Sequence, residues 1–256
     1  MDNTQTFDAI VLGGGEGVSI DPSQPIKGLV EIAGKPMVQW VVEALQEASS
    51  VNDIIVVLPS GAQVGSWASD VRIVHSDGTI LENGRKGFEA ASGTRPLLGV
   101  TGDIPALTAS AIDDFTRQVQ ARRAQFAYPL IYEKDVQNQF PGSTRTYVKL
   151  REGKVTGGNI IACTMEAART LEPLMDDFSA LRKDPQKAVK LVGANIATKY
   201  ALGSLSVSDV ENRIYKMFNI RGAGIFTPYA EIGVDVDKPS DKTIVETALR
   251  GRTQST

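Results

Sequence analysis

Asp8-Ala9-Ile10-Val11-Leu12-Gly13-Gly14-Gly15-Glu16-Gly17 is the stretch that decides the fold. The apolar run ends abruptly in glycines, which predicts a buried strand emptying into a loop without side chains. Working outward, Ile54-Ile55-Val56-Val57-Leu58 is a second continuous, β-branched run, closed by Pro59. Residues 71–74 and 96–100 read as a third and a fourth strand. Between these runs, apolar residues recur at helical spacing over residues 36–48 (Val38, Val41, Val42, Leu45), 83–91 and 108–122. Pro36 suits a first helical position, and Thr108 suits an N-cap. Continuous apolar strands alternating with helices predict a parallel sheet covered on both faces. In such sheets ligands lie beyond the carboxyl ends of the strands. The informative residues are therefore those after Leu12, Leu58, His75 and Val100.

The second half changes character. Residues 126–132 read as a strand and 135–144, with Pro141-Gly142, as a loop. Residues 146–150 and 154–162 read as strands around Arg151-Glu152-Gly153. Helices are expected over 165–174, 178–183, 194–200 and 208–217, a strand over 224–236 and a closing helix over 241–250. The whole reads as an α/β chain with a mostly parallel, Rossmann-like sheet and a small hairpin and helical insertion. Residues 1–256 form one domain on this reading: a nucleotide-binding half at 7–132, an acceptor and insertion region at 133–223, and a returning strand and closing helix at 224–250.

Composition narrows the function classes. The chain has 256 residues, 42% of them hydrophobic and 22% charged, which supports a sizeable core without staples. Its formal net charge of -3 gives no footprint for nucleic acid or an anionic membrane. No apolar run is long enough to span a bilayer, and the start, Met1-Asp2-Asn3-Thr4-Gln5-Thr6, is not a signal peptide. The lone Cys163 rules out an internal disulfide and points to a reducing compartment, the cytoplasm. His75 is the only histidine, so mechanisms needing two are excluded. Oligomeric state leaves no mark in the sequence.

The glycine loop fits neither common phosphate-binding fingerprint. The dinucleotide pattern needs glycine where Val18 stands. The mononucleotide P-loop fails around Gly34-Lys35, because Leu29 replaces its first glycine and Pro36 follows the lysine. The longer pattern is Leu12-Gly13-Gly14-Gly15-Glu16-Gly17, then Gln24-Pro25-Ile26-Lys27, Leu29, and Ile32-Ala33-Gly34-Lys35-Pro36-Met37-Val38. It resembles the amino-terminal signature of the nucleotidyltransferase superfamily. That superfamily includes sugar-nucleotide pyrophosphorylases, cytidylyltransferases and NTP transferases of the molybdenum-cofactor type, all of glycosyltransferase-A fold.

The resemblance implies a nucleoside triphosphate as one substrate and a phosphorylated or hydroxyl small molecule as acceptor, with release of pyrophosphate. It makes Lys27 the lysine that grips the phosphates, and Leu12, Gly13, Gly14 and Gly15 the cradle. Val100-Thr101-Gly102-Asp103-Ile104-Pro105 is similar to the family's metal-binding element, so Gly102 would touch nucleotide and Asp103 would hold Mg²⁺. Val234-Asp235-Val236-Asp237-Lys238-Pro239 resembles its closing element, with Asp237 as second ligand and Asp235 as the alternative. Asn83 is the candidate for base or ribose. Arg145 and Lys149, four apart in a predicted strand, suit an anionic acceptor, and Asn159 follows a glycine pair where backbone approaches ligand.

One departure stands out. The family carries an arginine just past the glycine loop, where this chain has Val18, Ser19 and Ile20. Two further readings therefore accompany the transferase: a catalytically degenerate nucleotide-binding protein of the same fold, and a glycosyltransferase using a nucleotide sugar.

Overall fold

The computed structural model describes residues 5–174 and 193–253. β1 (Phe7–Leu12) runs parallel to β4 (Val51–Leu58) on one side and to β6 (Leu97–Thr101) on the other. β5 (Arg72–His75) extends the parallel set beyond β4. Thus β4 separates the third predicted strand from the first. The second half continues the same sheet in mixed sense. β10 (Ile160–Cys163) pairs antiparallel with β6 and with the start of β7 (Phe126–Tyr132). β9 (Gly153–Gly157) pairs with the end of β7, and β8 (Val148–Leu150) forms the edge. β11 (Gly222–Phe226) lies parallel on the other side of β7. A short hairpin of β2 (Glu31–Ile32) and β3 (Lys35–Pro36) stands apart.

Alternation along β1 sorts the two faces. Ala9 and Val11 point into the larger core with Val56, Leu58, Leu98 and Val100. That face is covered by α1 (Met37–Glu47), α3 (Ala109–Ala121) and the closing helix, which carry Val41, Leu45, Ile112, Phe115, Val245 and Leu249. Ile10, Ile55, Val57 and Leu97 face the other way, against Phe88 of α2 (Ile80–Ala90) and Met165 and Ala168 of α5 (Met165–Leu171). Helices on both faces are as expected.

Several expectations are corrected. α2 starts at Ile80, because Thr79 and Glu82 form a capping box that carries the helix ahead of Asn83. The expected loop at 135–144 contains α4 (Glu133–Gln139), whose Val136 is buried and starts from acidic residues in its first turn. Residues 154–162 are not one strand: they break at Gly158-Asn159, where the chain leaves β9 for β10. The expected strand at 224–236 ends at Phe226, and Ala230–Gly233 is a 3₁₀ turn. The helix expected at 178–183 lies outside the described residues. α6 (Ala194–Ala201), α7 (Val207–Phe218) and α8 (Pro239–Thr253) complete the chain.

Candidate active site

The glycine loop leaves β1 and folds under the segment that follows it. Gly17 donates its amide to Pro25 O at 2.9 Å, and Lys27 donates to Gly15 O at 3.0 Å. Gly15 has φ +97, a backbone region glycine tolerates best. Gly13 spends its amide on Val57 O at 2.9 Å. Among the described residues, the amides of Gly14, Gly15 and Glu16 donate to no protein group. Successive N–H groups of this kind at a strand end are the chemistry of anion-binding concavities. Gly13, by contrast, has no free amide. Leu12 contributes backbone only, accepting from Gly102 N at 2.8 Å. A side chain on Gly102 would stand 2.9 Å from Gly13 Cα, so the two strand ends close directly onto one another.

That closure sets Asp103 beside Lys27. Lys27 Nζ lies 2.5 Å from Asp103 Oδ2 and 2.5 Å from Asp237 Oδ1. Thr101 Oγ1 donates to the other oxygen, Asp103 Oδ1, at 2.5 Å. Val236 N donates to Asp103 O at 3.0 Å, which pins the late loop to the end of β6. Deeper support comes from buried Glu231, which accepts from Thr108 Oγ1 at 2.9 Å. Burial works against the Lys27 charge, but Asp103 and then Asp237 outweigh it and raise its pKa. Burial also pushes against the Asp237 carboxylate, and Lys27 overcomes it and holds its pKa low.

Asp235 is the third carboxylate. One oxygen from each of Asp103, Asp235 and Asp237 lies within 4.8 Å of the others. Burial raises the Asp235 pKa to about 6, Asp103 and Asp237 add to the rise, and Arg145 opposes it. Arg145 Nη1 donates to Asp235 Oδ1, and its Nη2 to Asp235 O at 2.5 Å. The donor set is all-oxygen and acidic, the chemistry that hard divalent cations take. The Lys27 ammonium between two of these carboxylates demonstrates that the position accommodates positive charge.

A cavity of about 400 Å³ opens next to the cluster, lined by Tyr128, Thr144, Thr146, Thr156, Asn159 and Arg145 among others. α4 positions Arg145: Gln137 Nε2 donates to Ser143 O at 2.9 Å, and Arg145 Nε donates to Ser143 Oγ at 3.3 Å. Asn159 is fastened at the β9–β10 break, donating from its backbone to Ile232 O at 2.8 Å. Lys149 sits elsewhere. It is exposed on the edge strand β8, opposite Lys154, and does not line the cavity. Arg145 precedes β8, so strand alternation never placed the two on one face.

Asn83 lies in the first turn of α2, buried, with its amide 3.4 Å from the position a Gly14 side chain would take. Its Oδ1 has no hydrogen-bond partner among the described residues. It thus borders the glycine loop. Arg85, two residues on, donates from Nε to Glu172. Sequence reasoning missed Thr101, Tyr128, Thr144, Thr146 and Thr156. They come from separate strands and loops, and no local pattern marks them. The helix that braces the Arg145 loop did leave a signal: Glu133 and Asp135 ahead of Val136 and Phe140, an acidic first turn before an i, i+4 apolar pair.

The chain's relatives point in one direction. The domain family of MobA-like NTP transferases matches residues 9–175. A hypothetical transferase from Thermus thermophilus is 35% identical, with 93% of this chain and 100% of that chain covered and a TM-score of 0.81. The 4-diphosphocytidyl-2C-methyl-D-erythritol synthase of Anaerococcus prevotii shares the fold at 11% identity, with 97% of each chain covered and a TM-score of 0.58. The 2-C-methyl-D-erythritol 4-phosphate cytidylyltransferase of Bifidobacterium longum is 44% identical over 50 residues, which is 20% of this chain and only 17% of that protein.

Proposed function

The chain belongs to the MobA-like NTP transferase family, and from that premise we propose that it transfers a nucleoside monophosphate from a triphosphate to a small-molecule acceptor. The observation that carries this reading is convergence. Three unpaired amides, Lys27 and three carboxylates meet where β1 and β6 end.

In the proposed reaction an acceptor oxygen, from a phosphate or a hydroxyl, attacks the α-phosphorus. A new P–O bond forms as the bond from the α-phosphorus to its bridging oxygen breaks, and pyrophosphate leaves. Negative charge spreads over the phosphoryl oxygens, so fixed donors and cations supply most of the catalysis. The amides of Gly14, Gly15 and Glu16 bind the phosphate chain, and Lys27 neutralises charge upon it. Asp103, Asp235 and Asp237 would hold a divalent cation, Mg²⁺, which when bound offsets phosphate charge. Asn83, beside Gly14, contacts the base or ribose.

The cavity beside the cluster receives the acceptor. Its lining joins hydroxyls, an amide and backbone to the carboxylates of Asp235 and Asp237, and the Arg145 charge is already matched by Asp235. Such a site suits a hydroxyl-bearing body whose reacting group points at the carboxylates. Lys149 plays no part in it. The partners are thus two small molecules. Among the described residues no helix is long and apolar enough to cross a membrane. A cytoplasmic site of action fits the single cysteine, whose thiol burial pushes up to about 12.

A second reading, nucleotide binding without turnover, draws on Val18, Ser19 and Ile20 where the family carries its arginine. The discriminating experiment measures the thermal shift with each of the four ribonucleoside triphosphates and with nucleotide sugars, with and without Mg²⁺. Pyrophosphate release is then followed with a panel of sugar and polyol phosphates. A triphosphate-specific shift and released pyrophosphate support the transferase. A shift with no turnover across the panel supports the binder. Preference for a nucleotide sugar overturns both and favours a glycosyltransferase.

A further inference from the structure

Lys27 occupies a place that belongs to something else. Its ammonium sits 2.5 Å from a carboxylate oxygen of Asp103 and 2.5 Å from one of Asp237, with the side chain only 15% exposed. The remaining Asp103 oxygen is taken by Thr101, and Asp235 is taken by Arg145. Each acidic side chain of the cluster is therefore already matched by a donor from its own chain. Among the described residues, the three loop amides a short distance along the same backbone have no acceptor.

The Lys27 backbone is fixed between these two places. Its N–H is bonded to Gly15 O, and Gly28 behind it is jammed against Gly13 O, 2.4 Å from where a side chain would begin. Only the side chain can choose. A lysine is a compact charge on a four-carbon stem with three rotatable donors, well suited to exchanging one anionic partner for another. A divalent cation arriving alone at Asp103 and Asp237 would leave this part-buried ammonium unpaired and facing a like charge, which is strongly unfavourable. A cation arriving with a triphosphate brings the lysine a new anion on the glycine-loop side.

We propose that Lys27 holds the metal position in the free protein, so that the site takes up a divalent cation only together with the triphosphate that draws the ammonium off Asp103 and Asp237. This inference rests on the nucleotide-binding reading above. It excludes a metal-first order. It also assigns two exclusive tasks to one cation: cap of the carboxylates in the empty site, clamp of the phosphates in the filled one.

The test is Mn²⁺ binding in the absence of nucleotide, followed by electron paramagnetic resonance, on the wild type, Lys27→Met and Lys238→Met. Lys238 is exposed and adjacent to Asp237 in sequence, with no side-chain bond to the cluster, so it controls for the loss of one positive charge. Lys27→Met is expected to bind Mn²⁺ at least about tenfold more tightly than wild type, since two charge-assisted contacts no longer compete. Lys238→Met is expected to stay close to wild type. Equal gains in both variants, or none in Lys27→Met, overturn the proposal.

A second measurement needs no variant. The Lys27 ammonium resonance of the wild type should hold its position in millimolar Mg²⁺ and move when Mg²⁺ is added with the preferred triphosphate. Movement with Mg²⁺ alone overturns the proposal. Failure of all four triphosphates to bind strikes the nucleotidyltransferase reading instead, and leaves the Mn²⁺ comparison standing.

Discussion

Gly28→Ala is the sharpest single perturbation of this site. An added Cβ would lie 2.4 Å from Gly13 O and 3.0 Å from Gly13 C and Cα. All three are backbone atoms at the end of β1, where Gly13 N is bonded to Val57 O, so no side chain can swing away. Relief requires the segment at Lys27 and the glycine loop to part by about half an ångström or more, the distance over which a contact turns from repulsive to tolerable. Overpacking of this kind costs about 1–3 kcal/mol. In a chain of this size that is a Tm decrease of roughly 2–12 °C. The displacement falls on the bond from Lys27 N to Gly15 O, so triphosphate affinity should drop as well. Calorimetric unfolding and nucleotide titration on the same sample give both quantities. An unchanged Tm with unchanged affinity would refute the claim that close backbone contact at Gly28 sets the lysine. Gly84→Ala is the matched control: it lies within α2 with nothing near its added carbon, and gains up to about 1 kcal/mol of helix propensity.

Further outcomes follow from the same geometry. Lys27→Ala should weaken triphosphate binding about tenfold or more, the worth of a charge-assisted contact, with the far-ultraviolet circular dichroism unchanged; titration calorimetry reads it. Asp103→Asn should abolish the Mg²⁺ dependence of nucleotide binding, and retention of that dependence at wild-type concentrations would make Asp103 a turn residue. Arg145→Ala should weaken Mg²⁺-dependent nucleotide binding near pH 6, because it removes the charge that opposes burial and keeps Asp235 ionised, whereas Arg85→Ala should not, since Arg85 faces Glu172. Asp235 carries a pH dependence with a definite sign. Its pKa is raised by burial to about 6 in the folded chain, against an ordinary 3.8. Its contribution to stability is present below about pH 4 and is lost as pH rises through 6, while cation binding, which needs the carboxylate, should weaken as pH falls below 6. Mn²⁺ affinity in the presence of nucleotide, measured across that window, should lose this midpoint in Asp235→Asn.

The parallel half of the sheet was legible because its central strands carry continuous apolar runs buried on both faces. Ile10-Val11-Leu12 and Ile54-Ile55-Val56-Val57-Leu58 have no polar alternation to confuse, and each ends in glycine or proline. From that placement the sequence set the glycine loop and Asp103 at strand ends on one side of the sheet, and the motif resemblance added Lys27 and the superfamily. Local chemistry also specified the cap at Thr108, whereas the capping box of Thr79 and Glu82, which starts α2 before Asn83, went unread. What local pattern could not specify is partnership across the fold. Arg145 and Asp235 are 90 residues apart, and Lys27 and Asp237 are 210 apart. Nothing in a neighbouring residue reveals whether an arginine meets a ligand or a carboxylate. The choice between Asp235 and Asp237 dissolved for the same reason. Residues 234–237 follow a 3₁₀ turn rather than a strand, so period-two alternation does not govern them, and both carboxylates reach the cluster. Residue type and spacing thus determined which strands form and which chemistry stands at their ends. Only tertiary packing decided which charges neutralise one another, because those distances are set by how the β1, β6 and late-loop backbones close together.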